Sequence, residues 1–338
     1  MLLFCRAMNK QCRSFKKQTV VRRTVQTVVA LFCLYVGWIF FWFVSWARGA
    51  SPDFVPRPPA VEAFLPISAL LALKRLVLTG KWDAVHPAGL VILVAALIMS
   101  WLFRKGFCSH LCPVGFLSNL LEGLGRRIGL ARTPPRWLAW PLHVLKYLGL
   151  GFFLYTAVFS MSLYAAERFL QSPFNITSDA RMLDFFLHPS SVALCVLGAL
   201  VVLCVVWRNF WCRFLCPYGA LLGLVSFFSP VGVRRDPKLC VDCKKCSKAC
   251  PMGIPVHERE TVGTPECIGC TECVEKCPVP DCLTLSAGHR KLPVWLVAAG
   301  CVAVLLVAWG VARLTGHWDS GMPQEMLRRM YSSSASVF

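Results

Sequence analysis

A mainly α, polytopic membrane protein with about five transmembrane helices and a small α+β cytoplasmic domain is the fold class this sequence predicts, on three observations. The 338-residue chain is 56% hydrophobic and only 16% charged, with a mean hydropathy of +0.58, too apolar for a soluble domain of this length. Long apolar runs recur along it, separated by basic blocks. Eight of its 19 cysteines are compressed into two short polar stretches, CVDCKKCSKACP and CIGCTECVEKCP, which begin at Cys240 and Cys267.

The elements follow in order. Residues 1–24 form a basic N-terminus. Val25 to Ala47 is an apolar run longer than a signal-peptide core and lacks a small-residue cleavage site where one is needed, so it is expected to anchor the chain. Further spans are expected at Pro87 to Phe103, which is marginal in length, at Trp137 to Tyr164, at Pro189 to Trp207 and at Leu292 to Leu314. Residues 60–79 are apolar too, but Pro66 breaks them and Glu62, Lys74 and Arg75 charge them, which favours a re-entrant or interfacial helix. The formal charge of +19 could suggest nucleic acid. Most of the Lys and Arg, however, fall in three blocks beside apolar segments, 1–23, 104–136 and 208–291, which is the positive-inside pattern and not a nucleic-acid stripe. Five spans place all three blocks on one face, the cytoplasmic one, and leave the tail 315–338 outside.

The chain repeats itself within the expected four-helix region 25–228. FRKGFCSHLCPVGFL (103–117) aligns without a gap on WRNFWCRFLCPYGAL (207–221), pairing Arg104 with Arg208, Cys108 with Cys212, Cys112 with Cys216, Pro113 with Pro217 and Gly115 with Gly219. Each copy follows a span and precedes another apolar helix, a parallel repeat that brings both C-x3-C-P motifs to one membrane surface. Thiols four apart would share a helix face, with the proline bending the chain after the second. Cys108, Cys112, Cys212 and Cys216 could form a shared redox or metal site, a redox-active dithiol pair, or tight packing of small residues, ranked in that order because packing does not call for four thiols.

The chemistry lies in the two C-x2-C-x2-C-x3-C-P runs, within a domain expected over 234–286. Three thiolates from a tight triplet can cap three irons of a cubane, while the fourth cysteine reaches the other cluster. The expected ligand sets therefore cross: Cys240, Cys243, Cys246 and Cys277 for one [4Fe-4S] cluster, and Cys267, Cys270, Cys273 and Cys250 for the second. Pro251 and Pro278 turn the chain after each fourth cysteine. Zinc would call for paired C-x2-C knuckles, which this spacing explains poorly. The small domain is thus expected to be like a two-cluster bacterial ferredoxin, in a reducing compartment.

With its paired C-x3-C-P motifs between spans and a two-cluster ferredoxin after them, the sequence resembles the NapH and NosR group of membrane polyferredoxins. The stretches DFVPRPPAVEAFLPI, RMLDFF, CPYGALLGLVSFFSP and GMPQEML carry the resemblance as well. It implies a multi-pass electron-transfer protein of the bacterial inner membrane, with the family's cluster and C-x3-C-P cysteines at the twelve positions named above. The larger NosR-like members add an outer flavin-bearing domain, for which this chain has no room.

No C-x2-C-H or G-x-G-x-x-G motif opens a covalent haem or dinucleotide site, so electrons are expected to pass through the quinone pool, a membrane redox partner, or an outer-face or cytoplasmic electron-transfer protein. His110 and His143 are expected to be packed or surface-facing. Lys146, deep in an apolar span, is expected to snorkel toward Arg136, with a quinone role beside Tyr147 as a minority reading. Cys33, Cys195, Cys204 and Cys301 read as small core residues, and Cys282 as a spare thiol near a cluster. Two functions compete: an electron conduit, in one form a quinol dehydrogenase component, and a maturation or regulatory factor that reduces a metal or thiol for another membrane enzyme.

Overall fold

The computed structural model describes residues 2–288 and 290–334, with residues 2–18, 136 and 334 described by backbone alone. Helix α1 (Leu2–Ala47) runs for 46 residues, of which Thr19–Ala47 is long and apolar enough to cross a membrane. A 3-10 turn, Pro59–Phe64, precedes α2 (Pro66–Thr79) and α3 (Pro87–Phe103). The short α4 (Gly106–His110) and α5 (Pro113–Arg127) lead to α6 (Arg136–Leu154), prolonged by a π-helical turn, Tyr155–Ser160. Then come α7 (Leu163–Leu170), α8 (Pro173–Ile176), α9 (Ser178–Leu187) and α10 (Ser191–Val206). A second π-helical turn, Trp211–Leu215, precedes α11 (Pro217–Phe227). The polar region holds β1 (Val231–Arg235), α12 (Lys245–Ala249), β2 (Thr261–Val262), α13 (Glu272–Glu275), β3 (Leu283–Ala287) and β4 (Arg290–Leu292). The last helices are α14 (Trp295–Leu314) and α15 (Gln324–Ser334).

Among the described residues, three helices are long and apolar enough to span, Thr19–Ala47, Trp137–Ser160 and Trp295–Leu314. The α9–α10 pair, bent by 79°, makes a fourth if counted as one. Helix α3 has the expected boundaries, and its 17 residues reach about 26 Å at 1.5 Å each. Two expected spans are corrected at their ends. Tyr164 lies beyond the break after Ser160, because Ser162 caps the new helix α7 by accepting from Ala165 N. Leu292 pairs with Leu285 in the sheet, so the last span begins only at Trp295.

The chain forms two compact units, Met1–Ala30, Ala96–Leu148 and Ala199–Val304 in one, Leu31–Ala95, Gly149–Gly198 and Leu305–Phe338 in the other. In the first, an antiparallel sheet of order β2-β1-β3-β4 turns Val231, Val233, Leu283 and Leu285 inward while Arg234 stays exposed, the period-2 alternation of a half-buried sheet. Strand β1 starts four residues after α11, and β4 ends three before α14. Both ends of the polar domain are thereby tied to apolar helices.

The second unit shows why 60–79 carries charges. Helix α2 has only 14 residues, and its Lys74 Nζ donates to the carbonyls of Ala157 (3.1 Å), Val158 (2.8 Å) and Met161 (2.5 Å). These carbonyls end the π-helical turn and have no helical partner, so the ammonium satisfies them and opposes the helix dipole. Arg75 pairs with Asp83 and Glu167.

Candidate iron-sulfur site

The two cysteine triplets fold alike because both repeat one unusual backbone pattern. Asp242 and Lys244 in the first triplet, and Gly269 and Thr271 in the second, all have φ between 48° and 64°. These left-handed residues at matching positions curl each triplet into a cup. Three of the four are not glycine, so the local cost must be met by the structure around them.

Each cup closes round a cavity. One is lined by Cys240, Cys243, Cys246 and Cys277, together with Arg235, Lys244, His257 and Cys282. The other is lined by Cys267, Cys270, Cys273 and Cys250, with Met252, Ile254, Val256 and Ile268 among its apolar walls. Each cavity thus draws three cysteines from one triplet and the fourth from the other. Among the described residues no three His, Cys, Asp or Glu side chains close round a single metal ion. The sulfurs are spread over cavity walls, which fits a four-iron cubane with thiolate corners better than a mononuclear ion at about 2.3 Å.

The two cavities differ in environment. In the second, burial pushes the Cys250 thiol up to about 11 and the Cys270 and Cys273 thiols well above their ordinary value. Metal ligation is what would make such thiols anionic. In the first, the Asp242 N–H and then Arg235 hold the Cys240 thiol below its ordinary range, and Cys243 is exposed. Gly269 marks the contrast: a Cβ there would lie 2.7 Å from the Phe103 carbonyl oxygen, so the turn of the second triplet packs against the chain end of α3, whereas its counterpart Asp242 is exposed.

Repeat residues grip this domain. The Arg104 guanidinium donates to the carbonyls of Val231 (2.7 Å), Ser226 (3.0 Å) and Gly263 (2.9 Å). Its repeat partner Arg208 donates to the Lys248 carbonyl at 2.9 Å. One copy therefore holds the start of the domain and the chain before the second triplet, and the other the helix at the end of the first triplet, a role the repeat alignment exposes only once the fold is known.

All four C-x3-C-P cysteines come together. Burial raises the Cys108 thiol, with Cys112 next in effect, and raises Cys212 well above its ordinary value, with Cys112, Cys216 and Cys108 adding. The expected shared helix face is corrected. Cys112 and Cys216 have extended backbones outside the helices and cap α5 and α11, their Sγ atoms accepting from Gly115 N at 3.4 Å and Gly219 N at 3.2 Å. A residue before proline is driven out of the helical region, and proline then fits the first helical position. The C-P-x-G spacing was the available signal. A Cβ at Gly115 would also strike the Cys108 carbonyl.

Lys146 does not snorkel. It is 1% exposed, and its Nζ donates to both carboxylate oxygens of Glu266, at 2.7 and 2.6 Å. Tyr147 Oη donates to the same carboxylate at 3.3 Å, and Lys105 Nζ stands 3.8 Å from it. Both groups with a minority quinone reading are thus engaged by the residue just before Cys267. Burial would raise the Glu266 carboxyl, but Lys105 and Lys146 outweigh it and hold the group below the ordinary range. Two buried ammonium groups against one carboxylate leave a local excess of positive charge beside the Cys108 and Cys216 thiols. His110 is packed as expected, bonded to Ser109 and Gly106 and lowered to about 4 by burial. Cys204 and Cys301 are buried, but Cys195 is exposed on α10 and Cys33 only half-buried, which corrects their core reading. Cys282 lines the first cavity.

In the second unit, sequence reasoning missed a buried ionic cluster. Arg57 donates to Glu62 (2.7 Å) and Asp179 (2.8 and 3.0 Å), and stands 3.0 Å from His86 Nδ1. Tyr331 Oη donates to Asp179 at 2.7 Å. Its members lie in four separated segments, which hides it from local patterns. The conspicuous stretch DFVPRPPAVEAFLPI holds Arg57 and Glu62.

Two family models match the chain: a 4Fe-4S binding domain at residues 85–130 and again at 188–234, and a 4Fe-4S dicluster domain at 232–278. The first covers both C-x3-C-P repeats. YccM of Escherichia coli K12, named as an electron transport protein, is 40% identical over 96% of this chain and 93% of its own length. A Methanocaldococcus jannaschii protein of no stated function is 26% identical over 56% of this chain and 68% of its own. The ferredoxin-type protein NapH of Escherichia coli K12 is 26% identical over 57% and 67%. No solved structure matches. With its cysteine-lined cavities, duplicated C-x3-C-P units and end-to-end likeness to YccM, the chain belongs to the NapH-like family of ferredoxin-type iron-sulfur electron-transport proteins.

Proposed function

We propose that the chain passes electrons between the quinone pool or a membrane redox partner and two [4Fe-4S] clusters on the cytoplasmic side of a bacterial inner membrane, as a component of a quinol dehydrogenase. The observation that carries this reading is the composition of the two cavities, each lined by one cysteine triplet and the fourth cysteine of the other. Cys240, Cys243, Cys246 and Cys277 hold one cluster, and Cys267, Cys270, Cys273 and Cys250 the other. A bound cluster of this type supplies reversible one-electron chemistry. The protein's own part is to orient the thiols through the left-handed turns, to line the second cavity with apolar Met252, Ile254 and Ile268, and to hold the domain on the apolar helices through Arg104 and Arg208.

The C-x3-C-P cysteines form a further redox or metal site between the membrane and the second cavity. Support comes from the meeting of the four thiols and from Lys105 and Lys146, whose charge favours an anionic metal-thiolate centre. Five spans, with α3 as the shortest, leave the N-terminus inside and the C-terminus in the periplasm, as the charge blocks favour.

Anaerobic purification with iron and sulfide analysis, followed by mixing with a quinol, tests the reading. Cluster signals that develop on quinol addition support it. Clusters that only dithionite reduces would remove the quinone connection. If the C-x3-C-P site carries electrons, Cys108→Ser abolishes quinol-driven reduction and leaves both cluster signals intact. Normal transfer in the quadruple alanine variant would reduce those cysteines to caps and packing.

A further inference from the structure

The two cavities face different surroundings, and the one with the exposed Cys243 has the features of a docking surface. Four contacts from the helical part fall on the second cavity's side, Arg104 on Gly263, Lys146 on Glu266, Asn209 on Pro251 and Arg22 on Glu272, against Arg208 on Lys248 in the helix at the end of the first triplet. The first cavity opens beside the run Pro237–Lys245, where every residue but Cys240 is exposed. Leu239 is 43% and Val241 64% exposed on either side of Cys240, and Lys238, Lys244 and Lys245 surround them. Arg235 and Lys244 line the cavity itself, and no carboxylate does.

We propose that this surface, exposed Leu239 and Val241 within a rim of Lys238, Lys244 and Lys245 at the mouth of the Cys240–Cys277 cavity, docks an acidic, soluble one-electron carrier. The proposal rests on the cluster reading above. An apolar centre inside a charged rim is the usual anatomy of a specific but transient interface. The positive rim, offset in part by Asp236 and by Asp242, which stands 3.9 Å from Lys244, selects a partner of negative charge and speeds its approach. Across the surface one electron is exchanged, the carrier's centre gaining what the chain loses or the reverse, with no bond made or broken. The positive-inside pattern explains why lysines are abundant on this face, but it gives no reason for two bare aliphatic side chains beside the one open thiol cavity. A lipid surface in that place would seal the cavity from any carrier.

The test uses the full chain, purified anaerobically in nanodiscs with its clusters oxidised. Stopped-flow reduction by reduced flavodoxin, an acidic one-electron donor, is compared with reduction by photoreduced deazariboflavin, which is uncharged. The expected result is a flavodoxin rate that falls steeply with salt and drops about tenfold or more in the K238E/K245E variant, while the deazariboflavin rate stays unchanged. Leu239→Ser with Val241→Ser lowers the flavodoxin rate without changing its salt dependence. A flavodoxin rate indifferent to salt and to the double variant would overturn the proposal. An unchanged flavodoxin rate together with lysine labelling that anionic lipid alone suppresses would assign the patch to the membrane surface instead. Failure of deazariboflavin to reduce the wild-type chain would overturn the cluster reading itself, a result separable from failed docking.

Discussion

The two cysteine-lined cavities have the same ligand arithmetic and different walls, and the difference says which end of the domain meets what. The Cys267-side triplet packs its Gly269 turn against Phe103, its cavity is walled by Met252, Ile254 and Ile268, and the neighbouring Glu266 meets two buried lysines. Its counterpart has Cys243 in the open and only basic side chains among its charged walls. Burial of the thiols separates them: Cys250 and Cys273 of the closed set are buried, whereas Cys243 of the open set is exposed. Duplicated sequence made the pair, and departures from the duplication, Gly269 against Asp242 above all, made them unequal.

The largest expected effect is on the closed side. Lys146→Met leaves Glu266 buried with Lys105 as a more distant partner and should cost about 3–5 kcal/mol of stability, as breaking one half of a buried pair does. Thermal unfolding in detergent measures it. Lys146→Met combined with Glu266→Gln should recover much of the loss, and equal destabilisation in the single and double variants would mean that the pair is not coupled.

Exchanging the turn residues probes the packing of the Gly269 turn. Gly269→Ala places a Cβ against the Phe103 carbonyl at a left-handed φ and should cost about 1–3 kcal/mol. Asp242→Gly, at the equivalent open position, should change stability by less than about 1 kcal/mol. Similar costs at both sites would erase the distinction between the packed turn and the exposed one.

Accessibility predicts a smaller, kinetic difference. An iron chelator should strip the open cavity on the order of tenfold faster than the closed one, which corresponds to about 1.4 kcal/mol of extra opening free energy. Loss of the two signals at one rate would contradict it. The least effect belongs to Cys282→Ser. This thiol lines the open cavity but lies outside the ligand set, so iron content should hold and stability fall by about 1 kcal/mol or less.

Much of this was legible in the sequence because it is written in local spacing. The cysteine runs, the C-x3-C-P repeats and the apolar segments each depend on residues a few positions apart, and α3 has the expected boundaries. What stayed hidden depends on residues brought together by folding. Lys146 reads as a snorkelling lysine until Glu266, 120 residues away, arrives beside it. Arg57, Glu62, His86, Asp179 and Tyr331 are unremarkable singly and become a buried ionic cluster only in three dimensions. The capping role of Cys112 and Cys216 was within reach, since Cys-Pro at a helix start followed by glycine is a local pattern, but a thiol is an uncommon cap and the eye goes to its redox chemistry. Span ends were misjudged where a single serine cap or a strand pairing decides them against hydropathy.

One measurement bears most directly on the crossed cavities: iron and sulfide content with EPR on anaerobic wild-type protein, Cys250→Ser and Cys277→Ser side by side. Two clusters require about eight irons in the wild type, four for each set of four cysteines. Cys250→Ser should lose the signal of the closed cavity, and Cys277→Ser that of the open, chelator-sensitive one. Stoichiometric zinc without an EPR signal on reduction would contradict the account, and so would serine variants that each damage the cluster of their own triplet.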